Sequence, residues 1–202
     1  MAVEIELKAR LDDFEPVRER LFVMGEYCRA YIKSDTYWLP AQQAARQLAA
    51  IPSGVRVRRE SGVNADGSAF GTILVTYKTK EITDGIEIND ESEFIVSDAP
   101  VFEELLGRLG LHPAHRKEKK GWAWLVAPAV EPQPPILAEL SLVEGLGWFL
   151  EIEIQAADNS QRTVDESRRR LLALLEQLKI PADQIESRPY TLMLEEAKLS
   201  PK

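Results

Sequence analysis

The segment VEIELK, Val3 to Lys8, alternates charged and aliphatic residues at every step. Side chains of an extended strand alternate between faces, so Glu4, Glu6 and Lys8 share one side while Val3, Ile5 and Leu7 share the other. Two destinations suit such a strand. It can be half-buried with its polar face in water, or it can belong to a sheet curled so that the charged face looks inward.

The same period recurs along the chain. Arg56 and Arg58 alternate with valines in VRVR, Lys78 and Lys80 share a side of TYKTK, and Glu91 and Glu93 share a side of ESEF. Lys117 and Lys119 do so in KEKKGW, Glu139 stands opposite Leu140 and Leu142 with Ser141 beside it, and Glu151 and Glu153 alternate with Leu150, Ile152 and Ile154. The signs are sorted. Strands with Glu4/Glu6, Glu91/Glu93 and Glu151/Glu153 are acidic, while those with Arg56/Arg58, Lys78/Lys80 and Lys117/Lys119 are basic. Helices over a flat sheet would leave these charges in solvent. A sheet curled into a barrel would give a polar lumen inside an apolar wall.

Composition narrows the function classes. The 202 residues are 45% hydrophobic and 29% charged, which is the make-up of a globular protein with a real core. The net charge of −8 opposes general affinity for nucleic acid, whose phosphates need a basic surface. No run of about 18 apolar residues and no signal-like start is present, so the expectation is a cytoplasmic protein with no membrane partner. Cys28, the single cysteine, has no partner for an internal disulfide and is expected to be a small core residue.

The element pattern predicts one α+β domain over residues 1–202. After the first strand, LDDFEPVRERLFVMG predicts a helix capped by Asp12 or Asp13, with Phe14, Val17, Leu21 and Met24 as its apolar stripe. A strand over about 26–39 precedes an Ala/Gln-rich insert, 40–54, that could hold a short helix. GVRVRRES and GTILVTYKTK predict a hairpin with the long loop SGVNADGSAFG. A further strand, a helix over about 99–109, strands over about 117–126 and 136–143, the strand WFLEIEIQ, and an amphipathic helix ending LLALLEQLKI follow. The tail SRPYTLMLEEAK predicts another turn or two of helix.

Within an inward-facing lumen these residue types suit a polyanion. Arginine presents planar forks to phosphate oxygens and lysine a compact charge. Carboxylates opposite them can hold Mg²⁺ or Mn²⁺ between protein and phosphate oxygens. No P-loop is present, so such binding would use side chains rather than a glycine-rich backbone loop.

The ordered set VEIELK, DTYW, VRVRRE, TYKTK, ESEF, KEKKGW and VEGLGWFLEIE, closing with SRPYTLML, resembles the CYTH superfamily, the triphosphate tunnel metalloenzymes. The resemblance implies an eight-stranded antiparallel β-barrel, the triphosphate tunnel, with a charged lumen and flanking helices. By position it implies metal carboxylates at Glu4, Glu6, Glu151 and Glu153, and triphosphate ligands at Lys8, Arg56, Arg58, Lys78, Lys80, Lys117 and Lys119. Glu91 and Glu93 would line the tunnel, and Glu4, Glu6, Lys8 and Glu139 would carry catalysis with Mg²⁺ or Mn²⁺.

VEGLGWFLEIE looks most like the class IV adenylate cyclase branch, which turns ATP into cyclic AMP and pyrophosphate. That branch usually has Asp where this chain has Ser141, and Glu139 on the same face is the substitute carboxylate. Inorganic tripolyphosphatase, thiamine triphosphatase and a non-catalytic triphosphate- or polyphosphate-binding module are the alternatives; a homodimer stays open. The remaining candidates have plainer expected roles. His112 and His115 are expected at the surface, Trp122, Trp124 and Trp148 in packing, Gly145–Gly147 in a tight turn, and Arg168–Arg170 on a solvated helix face. Tyr190 is expected either in the core or at the tunnel mouth.

Overall fold

The computed structural model describes residues 3–40, 54–83, 86–128 and 132–199, with side chains described for all of these except 78–83, 86–91 and 199. The insert at 40–54 lies, but for Pro40 and Gly54, outside the described residues. Eight strands run β1 (Val3–Leu11), β2 (Glu26–Pro40), β3 (Val55–Asn64), β4 (Ala69–Thr83), β5 (Ile86–Ile95), β6 (Leu111–Val126), β7 (Ile136–Val143) and β8 (Gly147–Ala156). Among the described residues four α-helices accompany them: α1 (Glu15–Met24), α2 (Ala99–Arg108), α3 (Gln161–Gln177) and α4 (Tyr190–Leu199).

Every ladder is antiparallel, and the strand order β1-β5-β4-β3-β2-β6-β7-β8 closes on itself as a barrel. Among the described residues β1 meets β5 over four residue pairs, Val3 to Glu6, and runs against β8 over nine, Val3 to Leu11. The α+β fold with an eight-stranded antiparallel barrel that the family resemblance implies is the fold observed.

VEIELK is buried on both faces. Ile5 and Leu7 lose all but a trace of their surface, and so do Glu6 and Lys8, at 9% and 3% exposed. The aliphatic side faces outward into a core laid over the barrel wall. There Ile5, Leu7, Ala9, Ala138, Leu140, Leu150, Ile152 and Ile154 pack against Leu171, Leu174 and Leu175 of α3, Leu178 at its C-cap, and Val17 and Leu21 of α1. A second cluster seats Trp38, Val57 and Val75 under Ala99 and Leu106 of α2. Burying each large aliphatic contributes about 1.5–3 kcal/mol. The hydrophobic core therefore lies outside the barrel, and the lumen is left to the charged residues.

Local chemistry explains the helix starts. Ser160 and Asp98 cap α3 and α2, accepting from the backbone N–H of Thr163 at 3.4 Å and of Val101 at 3.0 Å. The cap of α1 differs from the expectation of Asp12 or Asp13. Phe14 takes the N-cap position and its ring stacks on Trp148 at 3.8 Å, while Asp13 accepts from the N–H of Glu15 at 3.1 Å. Packing against the wall sets the start of this helix. The β3–β4 loop is also shorter than expected, because both strands extend to Asn64 and Ala69, leaving four residues that turn through Gly67 at φ +85°. Trp122 and Trp148 stack with Phe14 on the outer wall and Trp124 is buried there, all in packing roles.

Cys28 departs from its expected place in the core. It is half-buried at an irregularity of the β2–β6 ladder, where the register shifts between Tyr27 and Arg29. That shift sets which β2 side chains enter the lumen. Among the described residues no helix is long and apolar enough to cross a membrane.

Candidate active site in the barrel lumen

The register brings the lumen charges into two connected groups. Asp35 of β2 lies beside Arg58 of β3 and Lys117 of β6. It accepts from Arg58 Nε at 2.7 Å and Nη2 at 3.0 Å, and its Oδ2 is 3.1 Å from Lys117 Nζ. Burial pushes the Asp35 carboxyl up, but the neighbouring Arg58 and Lys117 outweigh it and hold it well below the usual range. Arg56, one step along β3, donates to Thr76 Oγ1 at 2.9 Å, and Thr76 donates to Glu93 at 2.9 Å. Glu93 is exposed at the edge of this group, 3.8 Å from Arg56.

Glu139 of β7 organises the second group. It accepts from Lys33 Nζ at 2.5 Å and Lys119 Nζ at 3.1 Å, with Arg29 at 3.5 Å; Lys119 also donates to Glu151, and Arg29 pairs with Glu60 at 3.4 Å. Burial pushes Glu139 up, and Lys33 and Lys119 bring it well below its ordinary value. Glu151 is likewise drawn down to about 2, with Lys119 and then Lys117 overcoming burial. Lys33 behaves differently. Burial lowers it to about 8, because Glu139 only partly offsets the loss of water.

The carboxylates of β1 and β8 form an acidic side. Glu6 lies opposite Glu153 in the ladder and Lys8 opposite Glu151. Burial, followed by repulsion from Glu4 and Glu139, pushes the Glu153 carboxyl up to about 8. Oxygen donors crowded in this way suit a hard divalent cation. Among the described residues no group of three or more histidines, cysteines or carboxylates is arranged to enclose a metal. That is compatible with Mg²⁺-type binding, in which one or two carboxylates are completed by substrate oxygens and water.

The start of α4 reaches the same space. Tyr190 is buried with its ring edge-on to Phe149, 4.5 Å from Lys8 Nζ and 4.9 Å from Lys117 Nζ. Lys8 also donates to the carbonyl of Arg188 at 2.7 Å. Tyr190 thus answers to both of its expected places. His115 tethers the same helix through Glu195 at 3.0 Å, while His112 is exposed.

The structure brings together Glu6, Lys8, Arg58, Lys117, Lys119, Glu139, Glu151 and Glu153, with Arg56 and Glu93 at the edge. The backbone sets Lys78 opposite Glu91 and Lys80 opposite Asn89, but the side chains of Lys78, Lys80 and Glu91 lie outside the described residues. Sequence reasoning missed Lys33, Asp35, Arg29, Glu60 and Tyr31. On β2 the signs are mixed, so sorting by charge passed it over, although Tyr31, Lys33, Asp35 and Tyr37 keep the period of two. Tyr31 shares a 2.6 Å hydrogen bond with Ser141 and is flanked in register by Gly62 and Gly121. A Cβ at either glycine would stand 2.0 Å from a backbone oxygen, that of Ala30 or Leu140.

A closed antiparallel barrel with its hydrophobic core outside and paired charges within is a binding tunnel for a small, highly charged ligand. The chain belongs to the CYTH family, whose domain model matches residues 2–190. It is 26% identical over 191 residues to "Putative adenylate cyclase MJ0240" of Methanocaldococcus jannaschii, covering 93% of this chain and 96% of that protein. The PH1819 protein of Pyrococcus horikoshii has a similar solved structure, with a TM-score of 0.75 at 26% identity, covering 96% of this chain and 99% of that one. A "putative adenylate cyclase" from Vibrio parahaemolyticus shares the fold with a TM-score of 0.72 at 18% identity, over 98% of both chains.

Proposed function

We infer that the protein is a metal-dependent enzyme that holds a triphosphate in the barrel lumen and converts ATP to cyclic AMP and pyrophosphate. The observation that carries this is the lumen itself: buried cations from β1, β2 and β6, with the half-buried arginines of β3, face an acidic side on β1 and β8 where burial, followed by repulsion from Glu4 and Glu139, pushes Glu153 up to about 8. Lys8, Arg56, Arg58, Lys117 and Lys119, with Lys78 and Lys80, would take the phosphate oxygens. Glu4, Glu6 and Glu153, with Glu151 beside them, would hold Mg²⁺ or Mn²⁺, which when bound offsets charge developing on the phosphoryl groups.

In the reaction the ribose 3′-oxygen attacks the α-phosphorus, the bond to the bridging oxygen of the pyrophosphate breaks, and the 3′ proton is lost. The chain's own contribution is to line up the triphosphate and to keep cations where the leaving pyrophosphate gathers charge. Glu139 is committed to Lys33 and Lys119 and held ionised, so its part is to aim those two ammonium groups.

One observation favours a second reading, hydrolysis of tripolyphosphate or an organic triphosphate. Ser141, which stands where the cyclase-like branch usually has Asp, has its hydroxyl engaged with Tyr31. Product analysis decides between them, using ATP, tripolyphosphate and thiamine triphosphate, each with Mg²⁺ or Mn²⁺. Cyclic AMP with stoichiometric pyrophosphate is the expected result. Orthophosphate without a cyclic product would assign a hydrolase, and binding without turnover would overturn both in favour of a binding module.

A further inference from the structure

Asp35 opposes the ligand class assigned to the lumen, yet it is among its most deeply buried groups at 1% exposed. Three donor atoms converge on its two oxygens, two from Arg58 and one from Lys117. No apolar packing role calls for a carboxylate there. On the outer side of β2 the flanking residues are Ser34 and Thr36, with Trp38 of the α2 cluster beyond them, whereas Asp35 points the other way, to Arg58 and Lys117.

Resting on the triphosphate reading above, we propose that Asp35 is a positioning residue that acts as the lumen's internal stand-in for the substrate anion. It holds Arg58 and Lys117 aimed and offsets part of their charge while the tunnel is empty, and it weakens anion binding in return. Two buried cations without a counter-ion are costly, and the bidentate fork fixes the plane of the Arg58 guanidinium. A phosphate oxygen arriving at the same two cations would sit a few ångströms from the carboxylate in surroundings of low dielectric. Coupling between two anions that share cations is reciprocal. The charge that stabilises the empty tunnel therefore loosens the filled one, favouring release of a polyanionic product. Arg58 and Lys117 hold the Asp35 carboxyl well below the usual carboxylate range, which accords with a carboxylate that stays charged throughout.

The test compares wild type, Asp35→Asn and Asp35→Glu by calorimetric titration with inorganic tripolyphosphate in the presence of a chelator, together with kcat and KM on the fastest substrate. Asparagine keeps the shape and one acceptor but removes the charge. Asp35→Asn is expected to bind tripolyphosphate about tenfold or more tightly, as loss of a near, poorly screened repulsion requires. Its kcat should fall because Arg58 is less firmly aimed, and Asp35→Glu should recover part of that loss. A merely structural residue would change the folded fraction but neither constant for the protein that remains folded. If Asp35→Asn is unfolded alone, tripolyphosphate should refold it, and a variant still unfolded at saturating tripolyphosphate overturns the proposal. Equal or weaker binding by Asp35→Asn, with wild type binding normally, overturns the stand-in role alone. A wild type that binds no triphosphate overturns this proposal and the reading beneath it together.

Discussion

Lys33 offers the sharpest quantitative test of the lumen's electrostatics. Lys33 is 4% exposed and, despite Glu139 at 2.5 Å from its ammonium, burial lowers its pKa from 10.5 to about 8. At about 1.4 kcal/mol for each tenfold in proton affinity, carrying that charge into the folded empty barrel costs about 3 kcal/mol at neutral pH. The penalty is complete below pH 8. It fades as pH rises from 8 to 10.5, where the unfolded chain binds more protons than the folded one, so stability climbs with pH over that interval. Lys33→Met removes the charge and keeps the volume. Glu139 is not orphaned, because Lys119 at 3.1 Å and Arg29 at 3.5 Å remain. The variant should therefore be more stable than wild type by about 3 kcal/mol at pH 7, the difference closing towards pH 10.5. Urea unfolding of both proteins across pH 7–10.5 measures it, and the difference between the two curves cancels other titrating groups. A Lys33→Met protein less stable than wild type at pH 7, or a difference that does not narrow above pH 8, would refute this account.

Glu6→Ala should leave the fold intact by circular dichroism while abolishing metal-dependent turnover; unchanged activity removes Glu6 from the metal site. Arg58→Ala should raise KM by the loss of a charged hydrogen bond, about 1.5–3 kcal/mol or roughly ten- to a hundredfold, and unaltered kinetics would take Arg58 out of the tunnel. Gly121→Ala places a methyl group 2.0 Å from the Leu140 carbonyl oxygen, so its melting temperature should drop with a cost of about 3 kcal/mol or more. A variant that melts with wild type would mean that the β6–β7 ladder yields there without strain.

How much of this was legible in the sequence depended on whether a residue's neighbours shared its sign. VEIELK, VRVR and FLEIEI show both the strand period and the lumen, because a charge at every second position stands out against the aliphatics between, even where Lys8 follows Glu4 and Glu6. On β2 Lys33 and Asp35 cancel each other, and the residue opposite them, Ile32, is exposed, so neither face has a uniform signature. The irregularity between Tyr27 and Arg29 adds a phase change that no local pattern records. Glu139 was found, but two of its three cation partners, Lys33 and Arg29, come from β2, far off in sequence, and only the register shows that they meet. The start of α1 was misjudged for a related reason: Asp13 is a good capping residue in isolation, yet the stacking of Phe14 on Trp148 fixes where the helix begins.

The seam between β1 and β5 gives the barrel a clasp. Its four residue pairs, against nine on the opposite edge of β1, make it the shortest ladder among the described residues, and the residues it carries include Glu4 and Glu6. Parting there would turn the closed tube into a curled sheet and leave those two carboxylates on a free edge. A ligand that engages them together with cations across the lumen acts as the pin of that clasp, so ring closure and occupancy are one linked equilibrium. Amide hydrogens of Val3 to Glu6 should then exchange more slowly as ligand is added, to the extent that binding favours the closed ring.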